Sequence, residues 1–258
     1  MTVEAGKVAN RATSTLPGRG TWWVQPASVA VGFTLFVIYS FWSVVLAGGG
    51  HGWERGPYLS PFYSPLIQLG WFPFSSAILV AWVPLAFRGT CYYYRKAYYR
   101  AFFLDPPACA IAEPKFRHHY NGERGFPLIL NNFHRFFLYL ALIVLAFLWV
   151  DTVRAFYYNA GLYIGIGSII MLLNVVFLTM YTFSCHALRH LVGGSVNCFS
   201  CVRGGGARRG MWGFVSKINP YHGTFAWFSL FSVAAVDIYI RIVSSGAFGC
   251  HFTGHFGC

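Results

Sequence analysis

The stretch CHALRHLVGGSVNCFSC (185–201) gathers Cys185, His186, His190, Cys198 and Cys201 just past a long apolar run. His186 and His190 are four apart, so a helix carries both on one face. Cys198 and Cys201 form C-x-x-C, a chelating spacing for tetrahedral iron or zinc. Two thiolates with two imidazoles are the donors of a Rieske-type 2Fe–2S centre, in which the histidines serve one iron and raise its potential. Four of these five residues would supply that set, with His134 as a substitute. The spacing differs from the usual Rieske loops, and a closed structural zinc site takes the same donors. A plainer account also exists: a lone C-x-x-C is often two thiols, and a histidine at a helix end caps carbonyls.

Haem b is a further reading. It needs two axial imidazoles from different helices, and His134 with His190 or His222 would supply them. The first two apolar runs contain no histidine, so a two-haem arrangement is not expected. The tail CHFTGHFGC (Cys250, His251, His255, Cys258) repeats the Cys-His-x-x-x-His spacing, but short termini are usually mobile.

The elements that position these donors are built for lipid. The chain has 258 residues, 56% hydrophobic and 20% aromatic, and 10% charged, against about 25% charged in soluble domains. Apolar blocks of about 20 residues are long enough to cross a hydrocarbon core about 30 Å thick. We expect an all-α membrane protein, a bundle of five transmembrane helices over about 27–48, 70–93, 128–155, 162–188 and 222–244. Pro84 should kink the second. The polar segment 1–26 precedes the helical domain 27–246, and 247–258 is a short tail; no cleavable signal peptide is expected. No convincing internal repeat is visible.

All but three of the 19 lysines and arginines fall on the N-terminal side of this topology; the exceptions are Arg55, Arg154 and Arg241. The positive-inside bias then places the N-terminus in the cytoplasm and the C-terminus in the periplasm. The net charge of +12 reads as topology and contact with anionic lipid such as cardiolipin, not nucleic acid. Inner cysteines face a reducing compartment, so thiolates or buried thiols are expected rather than disulfides. Asn131, Asn132, Asn174 and Asp237 lie in or near the spans. Such groups face neighbours, a cavity or a ligand. Asp237 can pair with Arg241 one turn on or serve a proton path.

Three segments resemble a known family: CYYYRKAYYRAFFLDPP (91–107), RHHYNGERGFPLILNNFHRFFLY (117–139) and FSCHALRHLVGG (183–194). They are similar to the membrane anchor of actinobacterial and mycobacterial succinate dehydrogenase (complex II). The resemblance covers the chain to about residue 246. It implies a bacterial inner-membrane protein that docks an iron–sulfur subunit and a flavoprotein subunit, with a further small membrane protein as a possible companion. It also implies electron transfer to menaquinone and, in haem-less members, a Rieske-type 2Fe–2S cluster. On that reading Trp22, Trp23, Ser28, His134, Arg135 and Tyr139 are candidates for the quinone headgroup. The alternatives are a haem b anchor of the same complex, or a metal-handling transporter. Transporters usually place ligands at mid-membrane on broken helices, whereas these donors lie at one end.

Overall fold

The computed structural model describes residues 21–47, 52–108, 113, 122–159, 161–246 and 256–257. His51, His118, His119 and the four donors of the C-terminal tail lie outside these residues, so the expectation for the tail is not addressed.

Helix α1 (Val24–Phe41) continues through a π-helical turn, Trp42–Leu46. Helix α2 spans Ile78–Gly89 and α3 Tyr92–Phe103. A 3₁₀ segment, Leu128–Phe133, leads into α4 (His134–Arg154). Next come α5 (Ile166–Phe183), α6 (His186–Arg189), α7 (Gly205–Ile218) and α8 (His222–Ser244). Among the described residues, four segments are long and apolar enough to cross a membrane: Val24–Leu46, Leu128–Arg154, Ile166–Phe183, and α8 within Gly205–Ser244. The 21 residues of α4 reach about 31 Å at 1.5 Å per residue.

The expected second span is shorter than the apolar run 70–93. Its helix begins at Ile78, because Gly70 and Pro73 resist helix before it, and Cys91 is extended (φ −65°, ψ 129°) after it. Pro84 lies inside the helix that remains. The other expected spans match closely, and the fifth coincides with α8.

Helix α5 packs along α8, α4 along α2 and α5, and α1 along α3 and α8. At Gly167 the close approach excludes a side chain, since a Cβ would stand 2.5 Å from the Tyr58 ring. Tyr58 belongs to a hairpin of two short strands, β1 (Glu54–Arg55) and β2 (Tyr58–Leu59). A second hairpin, β3 (Tyr157–Tyr158) with β4 (Gly161–Leu162), caps the same end of the bundle. Leu35, Ile38, Leu85 and Ile143 are exposed on the helices' outer faces, where lipid replaces water as solvent.

That end also holds a polar hub. Asp237 is fully buried. It pairs with Arg241 Nε at 2.8 Å, accepts from Ser43 Oγ at 2.8 Å, and accepts from Tyr39 and Ser60. The expected i,i+4 pair is present, with three hydroxyls added. Asn174 accepts from Ser232 Oγ at 2.8 Å, a helix-to-helix bond within the bundle.

Candidate metal centre

At the opposite end α2 and α5 finish, and α4 and α8 start. Each finishing helix is followed by a hydroxyl residue in helical conformation and then by an extended cysteine: Thr90–Cys91 and Ser184–Cys185. Each starting helix opens on a histidine, His134 or His222. The histidine in each case follows a 3₁₀ turn that contains an asparagine three positions earlier, Asn131 or Asn219.

These residues meet in the core. His134 Nε2 lies 3.2 Å from Cys185 Sγ, and His222 Nε2 lies 3.5 Å from Cys91 Sγ. His134 Nδ1 lies 3.1 Å from Thr90 Oγ1, and His222 Nδ1 lies 2.9 Å from Ser184 Oγ. Asn131 Nδ2 donates to the Thr90 carbonyl at 2.7 Å, and Asn219 Nδ2 donates to the Ser184 carbonyl at 2.7 Å. Those carbonyls sit at helix C-termini, where no intrahelical partner exists. Phe87 stacks on the His134 ring at 4.6 Å, and Tyr181 stacks on the His222 ring at 4.9 Å. Cys91, Cys185 and His134 are buried, and His222 is partly buried.

A local motif therefore occurs twice: aromatic, two residues, hydroxyl, cysteine, then Asn-x-x-His further on. In the chain it reads F-R-G-T-C with N-N-F-H, and Y-T-F-S-C with N-P-Y-H. The expectation of no repeat is corrected here. The duplication is hidden because its two halves lie in different helices and the intervening loops share nothing.

Arg88 adds charge beside the pairs. Its guanidinium lies 4.6 Å from the Tyr181 ring centroid and donates to Ser229 Oγ at 3.0 Å.

Of the donors expected from sequence, Cys185 and His134 are brought together. His186 and His190 are exposed on α6 and the turn after it. Cys198 and Cys201 form a disulfide rather than the expected free thiolates. The 3₁₀ turn Phe199–Cys201 brings their Cα atoms to 5.3 Å, within bridging range. A disulfide sulfur offers a metal no thiolate. Cys91 is not among the expected donors, and His222 is expected as a haem ligand alone.

Among the described residues no three His, Cys, Asp or Glu side chains are grouped so as to hold a metal ion. Four-coordinate zinc needs its donors around one point, and two facing Cys–His pairs do not provide that. Two thiols and two imidazoles, buried together in two pairs, fit the donor set of a binuclear iron–sulfur centre.

The expected quinone set is divided. Trp22, Trp23 and Ser28 are exposed at the start of α1, with Ser28 Oγ bonded to the Gln25 carbonyl. Arg135 and Tyr139 are exposed on α4, where the Arg135 guanidinium covers Phe136. Helix α1 packs on α3 and α8, whereas α4 packs on α2 and α5. Beside His134, however, lies a cavity of about 540 Å³ lined by Thr90, Tyr98, Tyr99, Asn131, Phe133 and Phe137.

Loop charges flank the site. Arg100 holds Glu113 through two bonds, 2.7 and 3.0 Å, and the Ala108 N–H also donates to Glu113 at 2.6 Å. The hydrogen bonds from Arg100 hold the Glu113 carboxyl below the usual carboxylate range.

The family model of the actinobacterial succinate dehydrogenase subunit SdhC matches residues 24–246. A chain of the Mycobacterium smegmatis Sdh1 complex in the apo form is 39% identical, with 88% of this chain and 89% of that chain covered and a TM-score of 0.76. No curated protein matches the sequence. With nearly the whole helical region matched, the chain belongs to the actinobacterial SdhC family, the multi-pass inner-membrane anchors of succinate dehydrogenase.

Proposed function

We propose that this chain is the quinone-reducing anchor of a succinate:menaquinone oxidoreductase, and that Cys91, His134, Cys185 and His222 hold a Rieske-type 2Fe–2S centre. The observation that carries the reading is the two Cys–His pairs within the core, each with its imidazole held from behind by a hydroxyl. A centre of this kind supplies one-electron transfer between docked iron–sulfur clusters and quinone.

The chain's own residues do the rest. The extended backbone at Cys91 and Cys185 turns both thiols inward from helix ends. The first residues of α4 and α8 aim two imidazoles at them. Phe87, Tyr181 and the surrounding apolar core exclude water. The cavity beside His134 takes the menaquinone ring, with Thr90, Asn131, Tyr98 and Tyr99 as its polar groups.

The basic loops at this end face the cytoplasm, dock the iron–sulfur and flavoprotein subunits, and contact anionic lipid. The short α2 counts as a fifth span when its apolar approach from residue 70 is included. This orientation puts the N-terminus inside and the C-terminus outside.

Haem b between His134 and His222 is the second reading, because these two histidines come from different helices. The thiols of Cys185 and Cys91 face both Nε2 atoms, where a haem iron would have to sit, and this favours the iron–sulfur centre.

Low-temperature EPR of the reduced complex tests the assignment. A Rieske-like signal lost in Cys91→Ala and His222→Ala, but kept in His190→Ala and Cys198→Ala, is expected. Loss in the second pair alone would move the centre to the 185–201 loop. Visible haem bands with no such signal would replace it with haem.

A further inference from the structure

The hydroxyls behind the two imidazoles each have a backbone carbonyl within reach of their own proton. Thr90 Oγ1 donates to the Ala86 carbonyl at 2.7 Å, one turn back along α2. Ser184 Oγ donates to the Tyr181 carbonyl at 3.1 Å, at the end of α5. A hydroxyl has one proton to give and two lone pairs to offer. Toward Nδ1 each is therefore an acceptor, and the proton between them belongs to the ring. A neutral imidazole carries one ring proton. With Nδ1 protonated, the bare lone pair is on Nε2, the atom that faces Cys185 in one half and Cys91 in the other.

We propose that Thr90 and Ser184 are equivalent positioning residues, which fix His134 and His222 as Nδ1–H tautomers and so present both Nε2 lone pairs to the metal. The asparagines complete the device. Asn131 and Asn219 tie the 3₁₀ turn before each histidine helix to the carbonyl of the same hydroxyl residue. The imidazole and its acceptor then move as one unit. The two halves exchange only their cysteines: each histidine is held by its own half and faces the thiol of the other. Neither hydroxyl touches the metal donors' sulfurs; each acts through a ring nitrogen.

The consequence is electronic as well as geometric. An acceptor on Nδ1–H makes Nε2 a stronger electron donor, because partial withdrawal of the proton enriches the ring. A stronger donor favours the oxidised centre. Removing the acceptor is expected to raise the midpoint potential and to weaken metal retention by about 10- to 100-fold.

This inference rests on the iron–sulfur reading above, and its test separates the two. Thr90→Val removes the hydroxyl at constant shape, and Thr90→Ser restores it. In the purified complex, redox-titrated EPR with pulsed measurement of the ¹⁴N couplings should show a raised potential and altered ring-nitrogen couplings in Thr90→Val. Both should return in Thr90→Ser. Unchanged potential and couplings at full iron content would overturn the proposal.

Ser184→Ala reads the same quantities in the other half if Thr90→Val does not assemble. A wild-type complex with no 2Fe–2S signal in this anchor would sink the cofactor reading. The tautomers are then read by ¹⁵N solid-state NMR of histidine-labelled complex. Protonated Nδ1, disturbed in the valine variant, upholds the positioning role, and protonated Nε2 ends it.

Discussion

Asp237 shows what a single charge costs in this bundle. It has no exposed surface and binds one guanidinium and three hydroxyls drawn from α1, the turn that continues it, and the loop after β2. Arg241 in turn donates to the Ser43 carbonyl at 3.2 Å, and its guanidinium lies 4.9 Å from the Trp42 ring centroid. Ser43 lies in the π-helical turn, so the hub and that departure from regular helix go together. Removing one member of a buried pair strands the other, typically at about 3–5 kcal/mol. Asp237→Ala is therefore expected to lower the unfolding temperature of the solubilised complex sharply, and Asp237→Asn less so. An unchanged melting temperature in the alanine variant would mean that Arg241 finds an equal partner. The pairing of Asp237 with Arg241 was legible as an i,i+4 spacing. The hydroxyls were not, because Tyr39, Ser43 and Ser60 reach it from distant positions in the chain.

Elements decide which donors can meet. Residues close in sequence looked like one metal site, yet α6 is a single turn that leaves His186 and His190 on the surface, while Cys185 at its start points into the core. Spacing within one helix was readable; proximity between the ends of four helices was not. The best clue was the repeated hydroxyl–cysteine pair at 90–91 and 184–185, together with Asn-x-x-His at 131–134 and 219–222. The helices themselves were legible wherever apolar runs lacked breakers, and α2 was over-extended where Gly70 and Pro73 intervene.

Helix α3 supplies a prediction of its own. It ends at Leu104 in left-handed conformation (φ 50°), and Arg100 in its last turn clamps Glu113. Because the Glu113 carboxyl is held below its ordinary range, the clamp is fully present above the unfolded-state value of about 4.3. It is lost as pH falls through the lowered folded value. The protection factor of the Ala108 amide against hydrogen exchange should be high near neutral pH and fall in acid below that range. Glu113→Gln should abolish this pH dependence. Exchange equally fast at neutral pH in both proteins would show that the clamp does not hold the loop.

Across the whole molecule the two ends are chemically unlike. One end buries an acid in hydroxyls beneath short hairpins. The other gathers thiols, imidazoles and most of the basic loops. On the proposed function, electrons arriving from docked subunits at the basic end would meet the Cys–His pairs first; the cavity beside Thr90 and Asn131 lies against the same helix ends. This proximity predicts that quinone reduction can be blocked without touching the metal donors. Gly89 lines the cavity, and a Cβ added there meets nothing within 4 Å. Leucine also suits a helix better than glycine does. Gly89→Leu should therefore fold normally and place its side chain in the cavity. If menaquinone binds there, losing about 1.4 kcal/mol of its affinity raises the KM for quinone about tenfold. Succinate oxidation with an artificial soluble acceptor, and the EPR signal of the anchor, should be unchanged. A variant with normal quinone kinetics would place the quinone elsewhere on the bundle, and the exposed aromatic cluster of Trp22 and Trp23 at the start of α1 would be the next surface to alter.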